Sequence, residues 1–176
     1  MQCVTWSEED WATLLYTIQQ GHCLLMLGPD ASAEYVNDQW SPLTEQLAHE
    51  LFLSLDADIQ ENIDSTNLTQ VAQYYAVQKK RNALNAKIHF FYHSKQRVEN
   101  ALYTDLASLP FDLVLTSTPD THFAQALERQ GKTPAIDYYK FRGSNPTMVQ
   151  EGTVARPLVY HLYGMLDDPE SLVLTE

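Results

Sequence analysis

The run CLLML, residues 23–27, contains no polar residue and is broken at once by Gly28-Pro29-Asp30. A strand without polar alternation has no face to give to water, so it belongs in a covered, usually parallel sheet. Similar runs recur at PFDLVLTSTPD, opened by Pro110 and closed by Pro119, at AIDYYKF from Ala135, and at PLVYHLYG up to Gly164. The intervening sequence is helical in texture. Ser7 is placed to N-cap a helix with Glu8, Glu9 and Asp10 in its first turn. Trp11, Leu14, Leu15 and Ile18 form its apolar stripe, and Gly21 ends it. Pro42 is expected as the first residue of a second helix with Leu43, Leu47, Leu51 and Leu55 on one face. The order helix, strand, helices, strand, helix, strand, strand predicts an α/β fold, with a mostly parallel sheet covered by helices.

One domain of 176 residues is expected, with a helical insert over about 57–107 after the first strand. Leu68, Val71, Ala72 and Tyr75 share one helix face there, and the aromatic run Phe90 to His93 reads as core. The insert is long for a crossover and suits a lid or side layer over a ligand crevice. RGSNPTMVQEGTVARP, from Arg142, reads as a surface loop. SLVLTE, from Ser171, reads as the start of another strand. A domain seldom stops inside a strand, which predicts that the chain is the N-terminal piece of a longer protein. Its expected partners are then its own C-terminal domains beyond residue 176 and, as a homo-oligomer, further copies of itself.

The formal charge of −12 argues against a nucleic-acid partner. The best basic cluster, Lys79 to Arg81 with Lys87, Lys95 and Arg97 beyond, is expected to be a solvated helix face. No apolar stretch is long enough to span a membrane, and the N-terminus lacks the pattern of a secretory signal. Cys3 and Cys23 are the only cysteines, which disfavours a disulfide framework or zinc site, and a cytoplasmic protein is expected. His89 and His93, one helical turn apart, have no evident third ligand, so no metal is expected. Ser32 lacks the setting of a nucleophile.

LLMLGPDAS, FDLVLTSTPDTHFAQAL and PLVYHLYGMLDDPESLVLTE, in this order and rough spacing, resemble sirtuin-like domains. The branch concerned is the divergent bacterial one found at the front of antiviral defence and signalling proteins. The likeness runs from residue 21 to 176. It implies a Rossmann-like sheet with helices on both faces that binds NAD or a related ADP-ribose nucleotide. It also places the cofactor contacts at Gly28, Asp30, Ala31, Ser32, Ser117, Thr118, Asp120, Tyr163 and Gly164. Active relatives cleave the nicotinamide–ribose bond with an Asn and a His.

The chain departs from that pattern at each chemical position. Pro29 and Asp30 stand where the family loop has Ala and Gly, Thr118 where it has Asn, and Tyr163 where it has His. Asp30 puts a negative charge beside any pyrophosphate, a repulsion of about 4 kcal/mol at 4 Å and near-surface dielectric. Its carboxylate is expected instead to cap the N–H groups of a following helix, standing in for the anion. A Thr cannot make the two-ended contact of an amide, and a phenol is a poor base at neutral pH. His161 lies two residues before Tyr163, and on a strand the two would share a face about 6–7 Å apart. The leading expectation is a degenerate sirtuin-like nucleotide-binding or assembly module. The alternatives are an active NAD glycohydrolase using His161 and Asp120, and a purely structural interaction domain.

Overall fold

The computed structural model describes residues 6–36, 38–95, 100–140 and 151–174. Four strands, β1 (Leu25–Leu27), β4 (Leu113–Thr116), β5 (Ala135–Tyr138) and β6 (Leu158–His161), form one sheet in the order β1-β4-β6-β5. All three pairings are parallel. Leu27, Thr116, His161 and Tyr138 stand side by side across the sheet, so the carboxyl ends of all four strands meet at one edge. The fold is α/β and Rossmann-like.

Helix α1 (Glu8–Gln19) begins with a complete capping box, in which Ser7 and Asp10 each accept from the other's backbone N–H. After β1 the chain makes a 3-10 turn, Pro29–Ser32, and then a hairpin of β2 (Ala33–Val36) and β3 (Gln39–Pro42). The hairpin was not legible in the sequence. Pro42 closes β3 and takes the N-cap of α2 (Leu43–Phe52), one residue outside the expected position. The insert follows as α3 (Ala57–Gln60), α4 (Leu68–Lys79), α5 (Arg81–Lys95) and α6 (Ala101–Ser108). Helix α7 (His122–Arg129) joins β4 to β5, and Gly131, in the left-handed region at φ 77°, turns the chain out of it.

Two apolar cores result. One joins α2, α4 and α5 through Leu47, Leu51, Val71, Leu84 and Ile88, with Leu166 and Leu172 from the C-terminal segment. The other packs α1, α6 and α7 on the sheet through Ile18, Tyr103, Phe123, Leu127, Val114 and Val159.

Several expectations change. β1 is an outer strand of the sheet, and Met26 is 64% exposed, so the run is not buried on both faces. In α1 only Ile18 is buried; Trp11 and Leu15 lie half in solvent. Within the aromatic run Phe91 and Tyr92 are core, whereas Phe90 and His93 are exposed. Residues 171–174 form no strand; Val173 N–H instead donates to the Tyr163 carbonyl. Of the described members of the basic cluster, Lys79 at the end of α4 and Lys80 just after it are exposed. Arg81 donates to the Leu172 carbonyl, and Lys87 and Lys95 pair with Glu50 and Glu34. Arg97 lies outside the described residues, as does the loop over 141–150. No described helix is long and apolar enough to cross a membrane.

Candidate functional site

A polar cluster occupies the seam between the two cores, at the carboxyl ends of β1, β4 and β6. Three backbone ties close that edge. Ser117 N–H donates to the Leu27 carbonyl at 3.1 Å, Leu162 N–H to Thr116 at 2.9 Å, and Leu166 N–H to Pro119 at 3.1 Å. Ser32, Thr118, Asp120 and His161 are all buried; His161 is held to the Thr118 carbonyl and Ser32 to Tyr103.

Asp120 is its centre. It precedes the first turn of α7, and one carboxylate oxygen, Oδ1, accepts from His122 N–H at 3.0 Å and lies 3.2 Å from His122 Nδ1. That oxygen does the work of a helix-start charge. The other oxygen, Oδ2, is buried and has no partner among the described residues. His161 has no solvent exposure. Its Nδ1 lies 2.9 Å from the Thr118 carbonyl oxygen, which can only accept. Nδ1 therefore carries the proton, and in the neutral ring Nε2 is an unshared acceptor. Nε2 too is buried without a partner among the described residues. Burial holds the His161 pKa below the ordinary imidazole value, against the opposing pull of the Thr118 hydrogen bond and the Asp120 charge.

The insert supplies two phenols. Tyr103, on α6, is hydrogen-bonded to the Ser32 hydroxyl at 2.6 Å. Tyr92, on α5, is almost completely buried, and its hydroxyl has no partner among the described residues. Burial first, and then the Asp120 charge, push both phenol pKa values well up, so both stay protonated. Thr116 and Thr118 share a hydrogen bond at 3.1 Å at the end of β4. Sequence marks no site role for Tyr103, Thr116 or His122, and Tyr92 falls within the aromatic run read as core. Tyr92 and Tyr103 fall at apolar helical positions, and no local signal separates a core phenol from one facing a carboxylate.

Of the remaining expected contacts, some lie at the rim of this edge and others turn away from it. Tyr163 is half exposed, because β6 ends at His161 and residues 162–163 turn; the two side chains do not share a strand face. Gly164 sits in the left-handed region at φ 84°, and a Cβ there would stand 2.2 Å from the Ser171 carbonyl oxygen. Its role is in this turn. Asp30 is exposed and accepts no hydrogen bond among the described residues. No helix starts behind it, since the turn leads into the hairpin, so it neither caps a helix nor stands in for an anion there. Gly28, at φ −82°, has open space where a Cβ would be. Ala31 is half-buried, and its carbonyl accepts from Asn100 Nδ2 at 2.7 Å, which ties the turn to the start of α6. Ser117 bonds back to β1. His89 and His93 stack on an exposed helix face, ring centroids 5.9 Å apart. Among the described residues no three His, Cys, Asp or Glu side chains come together as a metal site.

No protein-family model matches this chain, and a search of characterised proteins returns no match. The likeness to sirtuin-like domains rests on the three quoted stretches and their order.

Proposed function

We propose that this chain is a degenerate sirtuin-like module that binds an ADP-ribose-type nucleotide without cleaving NAD, within a bacterial defence or signalling protein. The observation that carries the reading is the carboxylate-centred cluster at the strand ends, where Asp120 Oδ2 and His161 Nε2 are buried acceptors with no donor among the described residues. Buried polar atoms are nearly always paired, so an unpaired pair of acceptors suits a ligand rich in hydroxyl donors, as a ribose is. The position is the one where parallel α/β sheets hold ligands. Cleavage is disfavoured. Thr118 and Tyr163 replace the family's Asn and His, Tyr163 points to solvent, and His161 is shut off from the water it would have to activate. The cluster's closure also means that the seam must open for a ligand, so association is expected below the usual 10⁵–10⁷ M⁻¹s⁻¹.

That closure equally favours a second reading, a structural interaction domain whose cluster only joins the insert to the sheet. Calorimetric titration with ADP-ribose and NAD, paired with chromatographic detection of nicotinamide, separates the readings. Binding without nicotinamide release is expected. No binding to either ligand would favour the structural domain. Turnover lost in His161→Ala would favour the NAD glycohydrolase.

A further inference from the structure

We propose that the second face of the sheet is a docking surface for a partner protein's helix, one whose apolar stripe is flanked by Lys or Arg. The proposal is independent of the nucleotide reading. The parallel register puts Met26, Leu115, Tyr160 and Asp137 side by side across all four strands. Side chains alternate along a strand, so this row faces away from Val114 and Val159, which lie in the core with α1, α6 and α7. Met26, Leu113, Leu115 and Tyr160 belong to neither core. Met26 is 64% exposed, and the other three are half-buried. An all-parallel sheet is normally covered by helices on both faces. Neither core supplies the second cover here.

The shape and charge of this face narrow what fits it. A groove of about 510 Å³ opens over β4 and β6, with Leu113, Leu115, Leu158 and Tyr160 as its apolar wall and Asp112 and Glu151 as its charged lining. Gly152 packs so close to the residue before β4 that a Cβ would collide with the Asp112 carbonyl oxygen, which seats Glu151 beside the groove. Asp137, next to Tyr160 in register, adds a third carboxylate to the face. No Lys or Arg is among the described residues that line the groove, and the chain as a whole carries −12. An amphipathic helix can lay its apolar stripe in such a groove, and Lys or Arg beside that stripe would meet the carboxylates. A second copy of this chain suits the face less well. A two-fold contact sets a patch against itself, here acid against acid.

The test uses the whole chain and two synthetic helical peptides of about 20 residues, built of Leu and Ala with either Lys or Glu on the polar side, and reads binding by fluorescence anisotropy. The Lys peptide is expected to bind, and the Glu peptide at least about 10-fold more weakly. Met26→Gln removes exposed apolar surface and should weaken the Lys peptide about 3- to 10-fold. Glu151→Lys should weaken it by about the same factor. Glu128→Lys, the same charge change on α7 at the other face, should stay within about 2-fold. All three side chains are exposed, so the variants should melt within about 2 °C of wild type. Equal weakening by Glu151→Lys and Glu128→Lys would mean general attraction to an acidic chain and would overturn the proposal. So would equal affinity for both peptides, no binding of the Lys peptide, or a Met26→Gln affinity equal to wild type. A wild-type dimer in sedimentation that Met26→Gln dissociates would assign the face to a second copy and overturn it as well.

Discussion

His161 makes the stability of this protein depend on pH in a predictable direction. The ring is fully buried, its Nδ1–H is committed to the Thr118 carbonyl, and a proton on Nε2 would have no acceptor bonded to it. Its folded pKa is depressed, chiefly by burial. Below the ordinary imidazole pKa of about 6.5, the unfolded chain therefore binds a proton that the folded chain refuses. Stability contributed by the neutral ring is present above that value and is lost as pH falls below it. One proton taken up on unfolding is worth about 1.4 kcal/mol per pH unit. Because the unfolded ring is only half protonated at its own pKa, the loss between pH 6.5 and 5.5 is at most about 1 kcal/mol, or at most about 2–4 °C in Tm for a chain of this size. The assay is a set of melts followed by circular dichroism at pH 7.5, 6.5 and 5.5, on wild type and His161→Gln. The variant should start lower at pH 7.5, having lost the Thr118 bond, and its Tm should change less between pH 6.5 and 5.5. An identical acid slope in both proteins would refute the assignment, as would a wild-type Tm that rises on acidification.

Other substitutions test separate parts of the account. Gly164→Ala places a Cβ 2.2 Å from the Ser171 carbonyl oxygen in a left-handed turn, while the Ser171 hydroxyl is itself held by Met165 N–H and the Asp168 carbonyl. A loss of at least about 3 kcal/mol is expected by denaturant titration; a near-neutral result would mean that the turn relaxes freely. Ser7→Ala breaks the capping box of α1 and should cost about 1 kcal/mol in the same measurement. Asp30→Gly should change stability by no more than about 0.5 kcal/mol, because the carboxylate is exposed and caps nothing. A larger loss would restore the capping role that the sequence suggests for it.

The sheet was readable because its strands are short apolar runs bounded by Gly and Pro, a pattern set by local burial. The insert was readable from helical spacing at Leu68, Val71, Ala72 and Tyr75, of which the last three are buried and the first partly so. The hairpin over 33–42 was not, because AEYV and QWSP are too short and too polar on either side of Asn37 to show a strand period. Reading Asp30 as a helix cap failed for that reason: the cap needs a helix, and a 3-10 turn and hairpin stand in its place. At the site, sequence identified Ser32, Thr118, Asp120 and His161 but could not say that Tyr163 turns outward. One residue of strand length decides that face, and strand ends are set by tertiary contacts such as Val173 N–H to the Tyr163 carbonyl. Tyr103 reaches Ser32 only through the packing of the insert against the sheet. A contact between residues so far apart in the chain leaves no periodic trace in sequence.

The most direct test of the nucleotide reading is a crystal structure of the protein grown with ADP-ribose. The account predicts a ribose hydroxyl within hydrogen-bond distance of Asp120 Oδ2, a second sugar oxygen near His161 Nε2, and the diphosphate passing the open side of Gly28. A nucleotide bound on the outer surface, with Asp120 and His161 still unpartnered, would contradict it, as would crystals that exclude the ligand at saturating concentration.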